Sequence, residues 1–159
     1  MNRNGPASVA YPFAVVKTES GFSAAALDFP AMASADSEEE LAELLSEQAA
    51  LYLYEAELLG GDPPMPTTRR ELDRRRTAEH TGGTEFVYVE PAATNYISLA
   101  IERAMREEGV SALELARRLS VNVGVVQRLT DPFYFGHSTR TLRAVAAALG
   151  RQLRVSFDV

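Results

Sequence analysis

From its amino end the chain first shows a period of two. Tyr11, Phe13 and Val15 alternate with residues of the opposite face, which predicts a strand. Glu19-Ser20-Gly21 predicts a turn, with Gly21 able to take a positive φ. Phe22 to Phe29 is a second extended run ending at Pro30, and the two runs read as a hairpin. Ala31 to Asp36 reads as irregular. At Ser37 the period changes to that of a helix. Ser37 stands three residues before Glu40, the capping-box spacing, and a long helix is predicted to about Leu59. Its stripe is Leu41, Leu45, Gln48, Tyr52, Ala56 and Leu59, widened by Leu44 and Leu51. Gly60-Gly61 stops it, and Pro63, Pro64 and Pro66 prevent a restart. Arg69 to His80 fits a short polar helix, and Gly82-Gly83 breaks the chain. Phe86-Val87-Tyr88-Val89 is apolar on both faces, which predicts a central strand.

Beyond residue 92 the pattern is helical almost throughout. Ile97, Ile101, Ala104 and Met105 make one stripe, with Gly109 placed at its end. Ser111 to Leu119 is a second helix, with Ser111 and Glu114 at capping-box spacing. A third runs from about Asn122 to Leu129, where Asp131-Pro132 ends it. Ser138 starts a fourth, which carries Leu142, Val145, Ala146 and Leu149 to Gly150. The last residues return to a period of two: Leu153, Val155, Phe157 and Val159 against Gln152, Arg154, Ser156 and Asp158. A lone strand has no sheet to join in a helical domain, so it must pair with the first domain or with a second copy of itself. The expected fold class is α+β: an α/β domain over residues 1–92, then a helical domain over residues 93–159 that ends in a β-strand.

The second and third helices of the latter half, joined at Ser120-Val121, have helix-turn-helix spacing. Ala116 is small where the helices would cross. Leu115, Leu119, Val121, Val126 and Leu129 supply the remaining apolar positions, with Val121 expected to fill the space under the turn. The turn normally carries glycine, and Ser120 stands there instead. In such a motif Asn122, Val123, Gly124, Gln127 and Arg128 would face the major groove. Gln127 can bond an adenine edge in two places, and Arg128 a guanine edge or a phosphate. Val123 can meet a thymine methyl group, and Gly124 lets the backbone approach. Asn122 can equally serve as an N-cap, and Arg128 as a surface charge. Arg140, at the start of the fourth helix, joins the candidate DNA contacts.

Charge divides the chain in the same place. Residues 1–92 hold 7 basic and 16 acidic groups, a net of -9, and residues 93–159 hold 9 basic and 6 acidic, a net of +3, giving -6 in all. Two solvated surfaces would account for this, and so would two modules with different partners. Seven glutamates lie between Glu38 and Glu57, with no basic residue among them, which would suit a basic protein partner. The five arginines from Arg69 to Arg76 are interleaved with Glu71 and Asp73 and read as a solvated helical face rather than a nucleic-acid patch. The loop run Phe133-Tyr134-Phe135 reads either as local packing or as a contact with another domain or subunit.

Some chemistry is excluded. There is no cysteine, hence no disulfide, thiolate nucleophile or Cys-based zinc site. His80 and His137 have no ligand spacing, so no metal or cofactor is expected. Near the ends of the predicted strands only Glu19 and Asp28 carry carboxylates, too few to hold magnesium, so an enzyme is not expected. No apolar run is long enough to span a bilayer, and residues 1–12 carry no signal pattern, so a cytoplasmic protein is expected.

This order of elements resembles the HicB antitoxins of bacterial toxin–antitoxin pairs, in the branch with a C-terminal Cro-like helix-turn-helix. The resemblance rests first on Tyr11-Pro12-Phe13-Ala14-Val15-Val16, Ser20-Gly21-Phe22, Leu27-Asp28-Phe29-Pro30, Asp36 to Glu40 and Asp62-Pro63-Pro64-Met65-Pro66. In the second half, the closer match, it rests on Ala104-Met105-Arg106, Leu113 to Leu119, Val126-Gln127-Arg128-Leu129, Asp131-Pro132, Thr141-Leu142 and Ala147-Ala148-Leu149-Gly150. The loop Ala31 to Ala35 is shorter than is usual in the family and lacks its Pro-Gly pair. The resemblance implies that the first domain is a partly degraded, non-catalytic RNase H-like unit that neutralises a small basic mRNA-cleaving toxin of the HicA type. It also implies that the second domain binds promoter DNA of its own operon and represses transcription, as a homodimer or tetramer. On this reading Glu39, Glu43 and Glu47 are the candidate toxin-facing residues. Two other readings compete: a stand-alone helix-turn-helix repressor whose N-terminal domain senses a small ligand, and a metal-dependent nuclease.

Overall fold

A computed structural model of the chain describes residues 9–79 and 84–156. Among the described residues the fold is mixed α+β, with a four-stranded antiparallel sheet and six helices, and the chain divides into two compact units, residues 1–93 and 94–159.

In the first unit β1 (Tyr11–Thr18), β2 (Gly21–Ala26), β3 (Met32–Ala35) and β4 (Glu85–Val89) lie in the order β3-β2-β1-β4. β1 is therefore central and β4 is an edge, which corrects the expectation for Phe86 to Val89. The apolar pattern of β4 has another cause. Val87 and Val89 pack into the core, while Phe86 and Tyr88 share a cleft with Leu72 of α2 (Arg69–Glu79). An edge strand sandwiched in this way needs two apolar faces.

The stretch predicted as irregular contains β3, whose residues 32–35 pair with Phe22 to Ala25. Gly21 explains how. Its φ is +149°, and a Cβ there would collide with the Ala35 carbonyl oxygen, so only glycine lets the β3 backbone close on β2. β3 itself is alanine and serine, a composition that gives little strand signal.

One helix, α1 (Glu38–Leu58), covers the inner face of the sheet. Ser37 caps it, its side chain accepting from the Glu40 amide at 3.2 Å, and Glu38, Glu39 and Glu40 crowd the first turn, where the helix dipole favours anions. The buried stripe is Leu41, Leu45 and Ala49, against Tyr11, Phe13, Ala24 and Phe29. Leu51 and Leu59, expected on the stripe or its margin, are exposed, and Ala49 takes the place expected for Gln48. Phe29 anchors the core, edge-on to Tyr11 and Phe13 and stacked on Tyr52 at 4.6 Å.

The second unit contains α3 (Tyr96–Glu107), α4 (Ala112–Leu119), α5 (Val123–Leu129) and α6 (Thr139–Ala148). Asn95, Ser111, Asn122 and Ser138 cap them, each accepting from an amide in the first turn. Ile101, Met105, Val110, Leu115, Ala116, Val126, Leu129, Val145 and Leu149 form its core. The expected final strand is not seen in the single chain: residues 151–156 carry no regular secondary structure, and Phe157 to Val159 lie outside the described residues, as do His80 and Gly82-Gly83. The physical reason is that a strand is defined by its partner. Among the described residues no backbone hydrogen bond reaches 152–156.

Candidate functional site

The site is built on the junction between α4 and α5. Leu115 and Ala116 are buried on α4, and Val126 and Leu129 on α5. Such small and branched residues let two short helices pack closely across a tight turn. The turn is made by Ser120, the one described non-glycine residue with positive φ, at φ 55° and ψ 42°. Its amide donates to the Arg117 carbonyl at 3.1 Å, and the Val121 amide to Ala116 at 3.0 Å, so the left-handed residue closes the helix as a glycine would. Val121, expected beneath the turn, is 39% exposed, and the fully buried side chains of the two helices are instead Leu115 and Val126.

All five candidate residues of α5 and its cap are exposed: Asn122, Val123, Gly124, Gln127 and Arg128. The structure places Asn122 as the N-cap, its Oδ1 accepting from the Val125 amide at 3.1 Å, which leaves only its amide nitrogen to donate outward. A Cβ at Gly124 would sit 3.2 Å from that capping oxygen, so glycine there relieves the cap as well as opening the surface. Gln127 and Arg128 make no side-chain hydrogen bond or ion pair among the described residues.

Electrostatics separates the arginines of this unit. Glu114 holds two on α4, bonding Arg118 at 3.0 Å and Arg117 at 3.3 Å, and the Arg118 hydrogen bond and Arg117 charge keep its carboxyl below the usual range. Arg106 pairs with Glu102, and Arg151 with Glu107 and Glu108. Arg128 on α5 and Arg140 on α6 have no such partner among the described residues, nor does Arg143, three residues on, which the sequence reading passed over. The described arginines of this unit without such a partner are therefore Arg128 on α5, Arg140 and Arg143 on α6, and Arg154 in the segment after α6.

A polar clamp fixes the exit of α5. Ser98, fully buried, donates to the Asp131 carbonyl at 2.8 Å. His137 Nε2 lies 2.8 Å from the Leu129 carbonyl at the end of α5. Asn95 donates its amide to Pro132 and its side chain to Tyr134. Tyr134 also stands edge-on to His137 and packs against the core, while Phe135 is exposed. In the sequence, Ser98 within an apolar stripe was the one available signal of this clamp.

In the first unit Glu39, Glu43 and Glu47 are all exposed, at spacings of four along α1, so they form one acidic line on solvent. Asp28, at the end of the hairpin, is committed to Thr67. Among the described residues no three His, Asp or Glu side chains come together as a metal site. The cleft lined by Arg69, Leu72, Asp73, Phe86 and Tyr88 holds about 200 Å³, less than a typical small-molecule pocket. No helix among the described residues is long and apolar enough to cross a membrane. No protein-family model matches the chain, and no curated protein matches it.

Proposed function

We propose that this protein is an antitoxin of the HicB type: a DNA-binding repressor of its own operon whose first domain neutralises a small basic RNase. The observation that carries the reading is the α4–Ser120–α5 junction. A helix seven residues long, held at both ends by a cap and a clamp, presents Gln127 and Arg128 outward and unpaired, and Arg140 and Arg143 of α6 are likewise without an ion pair among the described residues. This is the arrangement that a helix-turn-helix needs: rigid placement of a few hydrogen-bonding side chains for the major groove, with arginines for the flanking phosphates. The acidic line on α1 supports the other half, since it would attract a cationic RNA-binding toxin. An RNase H-like ancestry of the first domain belongs to the same proposal. The protein acts as a homodimer or tetramer, without catalysis, metal or cofactor, in the cytoplasm.

The DNA half is tested with a duplex from the protein's own promoter and a scrambled duplex. Gln127→Ala should weaken the promoter duplex by about 1–3 kcal/mol and leave the scrambled one unchanged. Equal loss on both would show that Gln127 reads no base.

A further inference from the structure

The clamp at the exit of α5 contains a residue type whose charge changes between about pH 5 and pH 8, His137, and its neighbours leave the ring no choice of tautomer. Its Nε2 lies 2.8 Å from the Leu129 carbonyl, which can only accept, so Nε2 carries a hydrogen. The Ser98 hydroxyl agrees. It donates its hydrogen to the Asp131 carbonyl at 2.8 Å, so its oxygen, 3.4 Å from Nε2, faces the ring as an acceptor. On the other side Nδ1 lies 3.2 Å from the side-chain nitrogen of Asn95, which is a donor. That amide cannot be turned over. Its Oδ1 accepts from the Ile97 amide at 2.9 Å as the N-cap of α3, and its Nδ2 donates to the Tyr134 carbonyl at 2.8 Å. Nδ1 is therefore bare, and the ring is in its neutral form with the hydrogen on Nε2.

The ring joins three elements. It holds the N-cap of α3 through Asn95 and the end of α5 through Leu129, and it directly precedes Ser138, the N-cap of α6. A proton on the ring would leave the Leu129 bond in place, because a carbonyl at the end of a helix accepts from a charged donor at least as well. It would not leave the Asn95 bond, because a hydrogen on Nδ1 would point at the hydrogen of a fixed donor. The ionisable groups of the surrounding elements do not offset that loss. Tyr134 stands edge-on at 5.0 Å with its hydroxyl donated to the Gly136 carbonyl, and the Asp131 carboxylate accepts from the Phe133 amide at 2.9 Å. Glu102 of α3 bonds Arg106, and no carboxylate pairs with His137 among the described residues. Arg103 of α3, Arg128 of α5 and Arg140 of α6 are cations and offer a charged ring nothing.

We propose that His137 is a proton-operated latch between α3 and α5. The latch is closed by the neutral ring and opens on the Asn95 side when the ring takes a proton, so α5 and the start of α6 keep their set positions only while the ring is neutral. The stabilising bond is present above the histidine range and is lost as pH falls through it. The inference rests on the proposed function in one consequence only: promoter reading by Gln127 and Arg128 weakens in acid.

Nuclear magnetic resonance of the full chain tests the latch without DNA. At about pH 8 the His137 ring should carry its hydrogen on Nε2, and between about pH 8 and pH 5 the Asn95 side-chain amide signals should move with the same midpoint as the ring. A hydrogen on Nδ1, or Asn95 signals indifferent to the titration of the ring, would overturn the latch. Its consequence is read as the affinity for the promoter duplex relative to the scrambled one, which should fall roughly tenfold over the same range. His137→Gln, whose amide offers Asn95 an acceptor and Leu129 a donor at every pH, should remove that dependence. His80→Gln, which removes the other histidine, should keep it. A dependence that survives His137→Gln, or that vanishes in His80→Gln, would overturn the role of His137 in holding α5. Absence of promoter preference at both pH values would overturn the proposed function, while the ring and amide signals still decide the latch, so the two can fail separately.

Discussion

The carboxylate of Asp28 accepts two hydrogen bonds from a single residue, Thr67: one from the backbone amide at 3.0 Å and one from the hydroxyl at 2.5 Å. Two tyrosines complete the clasp. Tyr11 donates to the Pro64 carbonyl at 3.1 Å and Tyr88 to the Thr67 carbonyl at 2.6 Å. Four hydrogen bonds thus bind the proline-rich segment after α1 to the hairpin and to β4. The segment has few amides of its own with which to form regular structure, so its position is set by side chains of the sheet.

Removing the acceptor should therefore cost more than removing one contact. Asp28→Ala strands a buried amide and a hydroxyl, and the expected loss is about 1–3 kcal/mol in urea denaturation. Asp28→Asn keeps one acceptor oxygen and should lose less. Equal losses for the two variants would mean that the charge, not the acceptor geometry, holds the segment.

The two clasp tyrosines should also titrate above the ordinary phenol value. Burial is the main cause that raises both Tyr11 and Tyr88 above the ordinary phenol value; nearby Asp28 adds to it, and Arg69 opposes it at Tyr88. A group whose folded pKa is raised stabilises the fold fully below its unfolded pKa and loses that contribution as pH rises through the folded value. Alkaline titration followed by phenolate absorbance should show Tyr11 and Tyr88 ionising above the ordinary phenol value, assigned by the absorbance that Tyr11→Phe and Tyr88→Phe each remove, together with loss of structure. Loss of absorbance in the two variants only at the ordinary phenol value, with the fold intact, would refute it.

Ser120 holds a left-handed conformation that costs a residue with a Cβ about 1–2 kcal/mol. Glycine returns part of that as unfolded-state entropy, about 0.4–1 kcal/mol. Ser120→Gly should thus stabilise the second unit by about 0.5–1 kcal/mol, visible as a rise of a few degrees in its melting temperature. A fall would show that the serine hydroxyl does something at the turn beyond tolerating it.

The acidic line on α1 should act on rates more than on residence. Replacing Glu39, Glu43 and Glu47 by glutamine should slow association with a cognate HicA-like toxin and flatten its salt dependence, with less effect on dissociation. Stopped-flow measurements across a salt series distinguish the outcomes. An association rate independent of salt in the unaltered protein would end the steering argument.

Local physics was legible in the sequence wherever a residue acts on its own neighbours. Ser37, Ser111 and Ser138 cap as their spacing predicts, because a capping side chain reaches only two or three residues along the chain. Leu115, Ala116, Val126 and Leu129 are buried as their register predicts, because helix periodicity fixes which face they share. The outward set on α5 follows from the same geometry. Only the tertiary structure decided the rest. β3 exists because Gly21 admits its backbone, a long-range condition that no strand propensity in Met32 to Ala35 announces. β4 is apolar on both faces yet lies at the edge, because Phe86 and Tyr88 on its second face share a cleft with Leu72 of α2. Which arginines remain free was decided by where Glu102, Glu107, Glu108 and Glu114 fall in space. Asp28, a plain turn carboxylate in the sequence, became a clasp through Thr67, 39 residues away. Hydrogen bonds and ion pairs act over about 3 Å, and which distant groups come that close is a property of the folded chain, not of its order.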